Sequence, residues 1–406
     1  MILHKKIKRQ LFINKYLVKD KNKIIKRVME ERFIQIEKKV KRKELKQNLL
    51  LLIISIVIIL ILIEIALRLF GYPVYGFQKW VFISDDSFGY KLAPNYSGVQ
   101  SVYGRSYFLE SNSQGLRDNR EYSYEKPPGT KRIILLGDSI TFGNGVDLND
   151  SYAEMLRNKF SQSNQKVEVI NLGIPGYGIN NEYVRFIDEG IKYDPDIVII
   201  QYTPNDWRTH QLSIENGKTI VDKDYTTTAN EKGLLVSYRE KFSARSIHLF
   251  LLFNFRSYSL FYTKSRQVLS GVIDKYWANR LGSGSVPLYF RDKNSEIYKE
   301  SYDGYKAVVE MMQNKTNSTI IVFIGPFRQN LNSPEKLKEI YNLSYDPDPR
   351  QTQKDVEKIA KELDIPSIVL TSNDSNIYIP VDGHWNEKGN ELVADKLYSE
   401  LQKYLK

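Results

Sequence analysis

The chain has no cysteine, and only four histidines among its 406 residues. Without thiols there is no disulfide framework, which agrees with an exported domain that uses none. No HExxH pattern and no cluster of Cys and His at metal-ligand spacing is present, so the sequence points to no metal site and no cofactor. Charge of one sign is also missing from most of the chain. Residues 47–406 carry 42 Lys/Arg against 43 Asp/Glu, whereas residues 1–46 carry 17 against 5. The net charge of +11 therefore belongs to an N-terminal arm and is no argument for a nucleic-acid-binding body. Internal repeats are absent as well.

Directly after the arm stands LLLLIISIVIILILIEIALRLF, Leu49 to Phe70, 22 residues interrupted only near the end by Glu64 and Arg68. About 20 apolar residues cross a bilayer core. Lys and Arg gather on the cytoplasmic side of membrane segments, so the expectation is a basic cytoplasmic arm over 1–46, a transmembrane helix over 47–70, and everything beyond outside the cell membrane. No small-x-small cleavage site follows the apolar run, and the basic region is far longer than that of a signal peptide. This predicts an uncleaved anchor. Glu64 and Arg68, four apart with the acid first, pair on one helix face at the outer boundary. The arm itself has the pattern of a basic amphipathic helix for an anionic inner leaflet, and topology disfavours nucleic acid as its partner.

Residues 71–130 are rich in Gly, Pro, Tyr, Ser and Asn and read as an irregular, β-containing lead-in, with the stretch NSQGLRD at Asn112–Asp118. From residue 131 the texture changes. RIILLG, VEVINLG, DIVIIQY, STIIVFIG and PSIVL are short branched-aliphatic runs that alternate with amphipathic helix patterns, the last placing Leu392, Val393, Leu397, Leu401 and Leu405 at helical spacing. That alternation predicts a flavodoxin-like three-layer α/β/α domain over 131–406, with a central parallel sheet of about five strands. A helical insertion at about 210–300 separates the third and fourth strands and holds the Leu/Phe-rich Ser246–Lys264, either packed on the body or placed as a lid.

In such sheets a site lies beyond the C-terminal strand ends. Four polar segments fall there: GDSITFG with Ser139, NLGIPGYG with Gly176, TPNDW with Asn205, and DGHWN with Asp382 and His384 before the last helix. Each alone is a turn or a cap. Together they hold what acyl transfer from an ester requires. A hydroxyl needs a base to take its proton, and imidazole suits that role near neutral pH. The imidazole needs an acceptor on its other nitrogen, and Asp382 lies two residues from His384. The oxyanion needs preset donors, for which the Ser139 N–H, the Gly176 N–H and the Asn205 amide are candidates. Asp138 and Asp206 adjoin these residues with turn hydrogen bonds as their expected work. His4 lies in the arm, and His210 and His248 lie in or near the insertion as surface or packing residues.

The ordered set resembles the SGNH/GDSL hydrolase family, whose four motif blocks supply a Ser in GDS, a Gly in N-x-G/S-x-x-G, an Asn in G-x-N-D, and a His with an Asp just before it. They fall here on Ser139, Gly176, Asn205, and His384 with Asp382, over a matching region from about Lys131 to the C-terminus without the insertion. Two departures stand out: Thr203 occupies the usual glycine place before Asn205, and the acid–base spacing is D-x-H where many members have D-x-x-H. NSQGLRD also resembles the segment upstream of GDS in membrane-anchored members.

The resemblance implies a serine esterase acting through an acyl-Ser139 intermediate. By analogy with anchored members that act on cell-surface polysaccharide, its expected substrate is an acylated, chiefly O-acetylated, glycan. A glycan O-acyltransferase using the same Ser/His/Asp site, a lipid or long-chain acyl esterase suggested by the Leu/Phe-rich insertion, and a non-catalytic surface-assembly protein are the competing readings.

Overall fold

The computed structural model describes residues 2–72, 80–102, 105–207, 290–341, 343–380 and 382–405, with shorter segments between 208 and 289. The chain forms two compact units, Met1–Phe70 and Gly71–Lys406.

The first unit is one helix, α1 (Ile2–Leu69). No Gly or Pro interrupts residues 2–70, so nothing in this stretch breaks the helical hydrogen-bond ladder. Gly71 ends it in the left-handed conformation at φ 68°, the usual glycine stop. Its apolar residues from Leu49 to Val57 are exposed all round within this unit, with no polar face of their own. By length and composition, Glu31–Leu69 includes a span able to cross a membrane. Arg68 Nε donates to Glu64 Oε1 at 2.8 Å, one helical turn apart.

The second unit opens with two antiparallel hairpins, β1 (Phe82–Asp85) with β2 (Gly89–Leu92), and β3 (Ser97–Val102) with β4 (Arg105–Glu110). The central sheet follows, with β5 (Lys131–Leu136), β6 (Val167–Asn171), β7 (Ile197–Tyr202), β12 (Thr319–Ile324) and β13 (Ser367–Val369). Between β7 and β12 lie two short hairpins, β8 (Leu212–Glu215) with β9 (Lys218–Val221), and β10 (Thr227–Ala229) with β11 (Leu235–Ser237). The insertion, expected to be helical, thus contains strands. His210, His248 and part of the Leu/Phe-rich stretch lie outside the described residues, while residues 256–264 of that stretch are helical.

All pairings in the central sheet are parallel, in the order β13-β12-β7-β5-β6. Counted along the chain, this is the doubly wound order 2-1-3-4-5, and its crevice opens between β5 and β7, where the connections depart in opposite directions. The strands alternate sides. Ile133, Leu135, Ile197, Ile199, Ile321 and Phe323 pack with Leu156 and Phe160 of α3 (Tyr152–Gln162) and Val393, Leu397 and Leu401 of the C-terminal helix, Glu387–Leu401. Ile134, Leu136, Val198, Ile200 and Val322 face the other way. There they meet α4 (Ile179–Asp188), α5 (Glu296–Gln313) and the helix Gln351–Glu362. Helices on both faces make three layers.

The lead-in shares this second core: Phe82, Tyr90, Leu92, Tyr107 and Leu109 are buried in the same cluster as Ile134 and Ile200. Its far end is fastened by Arg132 on β5, fully buried, whose guanidinium donates to the carbonyls of Ser123 (2.6 Å), Tyr124 (3.1 Å) and Tyr193 (2.8 Å). A buried guanidinium is tolerated because carbonyls and Glu168 (2.6 Å) take its donors.

Candidate active site

Ser139 stands at the first position of a one-turn helix, α2 (Ser139–Phe142), entered straight from β5. Asp138 caps this turn, its Oδ1 accepting the Ile140 N–H at 2.9 Å. The turn is tight enough to demand glycine on both sides. A Cβ at Gly137 would collide with the Thr141 side chain, and one at Gly173 would come within 2.7 Å of the Phe142 amide nitrogen. Gly143 closes the turn in the left-handed region at φ 79°. The Gly-Asp-Ser sequence after an apolar strand therefore serves to turn the chain sharply while leaving the hydroxyl at its apex.

The imidazole arrives on a narrow loop between Ile377 and Asn386. Ile379 N–H donates to His384 O at 2.9 Å, and Asn386 N–H to Ile377 O at 2.9 Å. Trp385 anchors the loop by donating from Nε1 to Pro326 O at 2.9 Å. His384 Nε2 lies 2.8 Å from Ser139 Oγ, and its Nδ1 lies 2.7 Å from Asp382 Oδ1. With Nδ1 protonated toward the carboxylate, Nε2 accepts from the hydroxyl. The short D-x-H spacing works because Asp382 Oδ1 also accepts the amides of Gly383 (2.6 Å) and His384 (3.3 Å), folding the carboxylate back over its own turn toward the ring.

These contacts set the titration. Burial by itself would raise the Asp382 carboxyl, but the hydrogen bond and charge of His384 and the two amides hold it below its ordinary value. Burial would lower His384, yet the Asp382 hydrogen bond and charge, with Asp138 behind them, carry it above 6.5.

Gly176 lies in the loop after β6, at φ 83°, where a Cβ would stand 2.8 Å from the Tyr90 hydroxyl. Asn171 at the head of this loop donates from Nδ2 to Thr141 O (2.7 Å) and accepts from Gly173 N–H (2.9 Å), tying the loop to the Ser139 turn. Asn205 follows β7 in a single 3-10 turn and donates from Nδ2 to Tyr177 O at 2.8 Å. That bond uses one of its two amide hydrogens and ties the carboxamide to the glycine loop. Thr203, in the usual glycine place, is buried and donates from its N–H to Asp206 Oδ2 at 2.6 Å.

Three buried carboxyls lie beneath these loops. Burial raises Asp138, against the Ile140 amide, the His384 charge and hydrogen bonds from Asn205 and Thr203. Burial and the neighbouring Asp206 and Asp138 charges push Glu182 of α4 well up. Burial and Asp138 do the same to Asp206. Like charges buried together resist ionising at once, which is why Glu182 and Asp206 are both pushed up. Glu182 carries no motif signal. Among the described residues no group of three or more His, Asp or Glu is placed to hold a metal ion.

The lead-in supplies residues that motif reading passed over. Arg117, from NSQGLRD, is 3% exposed and donates from Nη1 to the carbonyls of Phe142 (2.7 Å) and Gly143 (2.5 Å) and from Nη2 to Val146 (2.5 Å). One guanidinium thus collects the carbonyls at the end of the Ser139 turn. Asn112 shapes the segment that delivers it, accepting the Gln114 (3.0 Å) and Leu116 (2.9 Å) amides. Asp118 Oδ2 binds Arg157 of α3 at 2.7 Å. Tyr90 donates to Pro175 O at 2.5 Å and so steadies the chain just before Gly176. The signal for Arg117 was a cation set among turn residues just upstream of GDS; nothing in the sequence singles out Tyr90.

The model of the GDSL-like Lipase/Acylhydrolase family matches residues 135–392, well over half of the chain. No curated protein matches the chain. Similar solved structures include the acetyl xylan esterase AlAXEase, at 15% identity and TM-score 0.37 over 66% of this chain and 99% of that one. A lipase/acylhydrolase from Enterococcus faecalis matches at 12% and 0.36 over 68% and 98%. The psychrotrophic esterase EstA from Pseudoalteromonas sp. matches at 14% and 0.35 over 68% and 98%. On the strength of the family model, the chain belongs to the GDSL-like lipase/acylhydrolase family and is an ester-hydrolysing enzyme.

Proposed function

We propose that the protein is a serine esterase that removes ester-linked acyl groups, chiefly O-acetyl, from cell-surface polysaccharide through an acyl-Ser139 intermediate. The observation that carries this reading is the unbroken pair of contacts from Ser139 Oγ to His384 Nε2 (2.8 Å) and from His384 Nδ1 to Asp382 Oδ1 (2.7 Å). Ser139 Oγ attacks the ester carbonyl carbon as its proton passes to Nε2. The carbonyl oxygen takes the negative charge, facing the Ser139 and Gly176 N–H groups and the Asn205 carboxamide. When the tetrahedral centre collapses, His384 returns the proton to the departing sugar oxygen. Water then attacks the acyl-enzyme with His384 again as base, releasing the carboxylic acid and restoring the hydroxyl. Asp382 holds the imidazole tautomer and steadies the cation that forms at each step.

The glycan part of the proposal is supported by architecture. A basic arm, an apolar helix and a following hydrolase unit resemble the anchored family members that act on cell-surface polysaccharide, and the charge asymmetry orients that unit outward. The test is acetate release from O-acetylated oligosaccharides by the full-length protein in detergent. Ser139→Ala should lower kcat/KM by roughly 10,000-fold or more. Undiminished release by that variant overturns the enzyme mechanism. A preference for p-nitrophenyl esters longer than about eight carbons, the length at which the apolar chain's burial dominates binding, overturns the glycan substrate.

A further inference from the structure

The loop that carries Asp382 and His384 has a second face. There Ile379 and Pro380 form one wall of a cleft of about 760 Å³ whose rim holds Arg105, Arg328, Lys336 and Lys388. Glu387 is the one acidic group lining it, and it is paired with Arg105. Arg328 reaches across the wall, donating from Nη1 to Asp382 O at 2.9 Å, so the cleft and the acid of the catalytic pair share a backbone segment. Among the described residues, Arg328, Lys336 and Lys388 have no ion-pair partner. Three cations at one concavity, outnumbering its single acidic lining group, focus a positive potential there.

A second observation concerns Tyr378, which also lines this cleft and is 4% exposed. Its hydroxyl is buried, yet it has no hydrogen-bond partner among the described residues. A buried hydroxyl without a partner is costly, and this one lies in the wall of the cleft. Burial and the Asp374 charge push the phenol up, with Arg350 and Arg328 pulling the other way. The neutral groups around it, Asn332 and Asn376, are amides of the kind that recognise sugar hydroxyls.

We propose that this cleft binds the negatively charged groups, carboxylate or phosphate, of an acidic surface glycan, and holds that polymer while one of its esters enters at Ser139. The proposal rests on the glycan-esterase reading above and narrows its substrate to an anionic polymer. Guanidinium and ammonium groups take the anion, and the amides contact the sugar ring. Because the wall of the cleft is the loop that bears the base, a chain seated there lies alongside the reaction centre.

The test must separate the cleft from the basic arm, which attracts any polyanion. Full-length Ser139→Ala protein in neutral detergent is mixed with a polyglucuronate oligomer, a poly(glycerol phosphate) oligomer or a dextran of equal length, and its lysines are then acetylated and mapped by mass spectrometry. The expected result is that an acidic oligomer shields Lys336 and Lys388 while exposed Lys299 on α5 labels as before, and dextran shields none of them. Shielding by one acidic oligomer alone identifies the anion as carboxylate or phosphate. Equal labelling of Lys336 and Lys388 in all three mixtures overturns the proposal. In the active protein, Lys336→Glu with Lys388→Glu should lower the ratio of kcat/KM on acidic over neutral acetylated oligosaccharides roughly tenfold. An unchanged ratio overturns it too. Loss of the esterase mechanism would show separately, as ester turnover that survives Ser139→Ala, and would leave the labelling result standing.

Discussion

The strand-end loops and the lead-in hairpins meet around Ser139 with opposite assets. The loops after β5, β6 and β7 bring a hydroxyl, a glycine amide and a carboxamide, but their tight turns leave several carbonyls pointing into the protein for side chains to satisfy. The lead-in brings donors: Arg117 for Phe142, Gly143 and Val146, and Tyr90 for Pro175. A buried carbonyl must be satisfied by something; Asn171 and Asn205 serve Thr141 and Tyr177 from within the loops, and the remaining donors named here come from a segment that precedes the first strand of the sheet. The candidate reactive groups and part of what holds them still are thus supplied by different parts of the chain.

If that division is real, substitutions in the loops should damage the chemistry and substitutions in the lead-in should damage the fold. The largest effect after Ser139→Ala is expected from Asn205→Ala, which removes a candidate oxyanion donor and should reduce kcat by about 100- to 1,000-fold, while loss of its bond to Tyr177 O should cost only about 1 kcal/mol of stability. Equal losses of rate and stability would blur the comparison. Arg117→Met leaves three carbonyls without their donor and should cost about 3 kcal/mol or more of stability, read as a shift of the denaturant midpoint. Arg117→Lys should recover part of that loss, because an ammonium can still reach some of the carbonyls.

A pH profile sharpens the comparison without a mutation. His384 must be neutral to accept the Ser139 proton, and its pKa is raised above 6.5 by Asp382. The acid limb of kcat/KM should therefore turn at a pH above 6.5, with activity lost as pH falls through it. Asp382→Asn removes the charge that lifts the imidazole, so the residual activity should show this limb moved to lower pH. The smallest effect is expected for Tyr90→Phe, which deletes one hydroxyl from the Pro175 carbonyl and should cost about 1 kcal/mol. A Tyr90→Phe variant with full stability but a hundredfold lower kcat would move Tyr90 from the supporting set to the reacting one.

Much of the domain was legible as pattern. The five aliphatic runs are the five strands of the sheet, and residues such as Ile133 and Ile134 divide between its two faces as the pleat requires. The four motif segments do fall at strand ends or before the last helix. The insertion was legible in part: residues 256–264 of its Leu/Phe-rich stretch are helical, whereas β8 to β11 come from pieces of three or four residues, too short to show a period. Arg117 and Tyr90 were illegible as supports because their partners are backbone carbonyls, which every residue possesses and no sequence marks.

What the sequence determined by itself is whatever depends on local order: an uninterrupted apolar helix after a basic arm, the alternation of strands and helices, and the residue types set at sharp turns. Tertiary structure alone decided which of those residues touch. Ser139 and His384 are 245 positions apart, and only the parallel pairing of β5 with β7 and the docking of the last helix bring their side chains to 2.8 Å. The physical reason is that periodicity and turn chemistry act over a few residues, whereas a contact between distant segments is set by how whole layers bury their apolar faces.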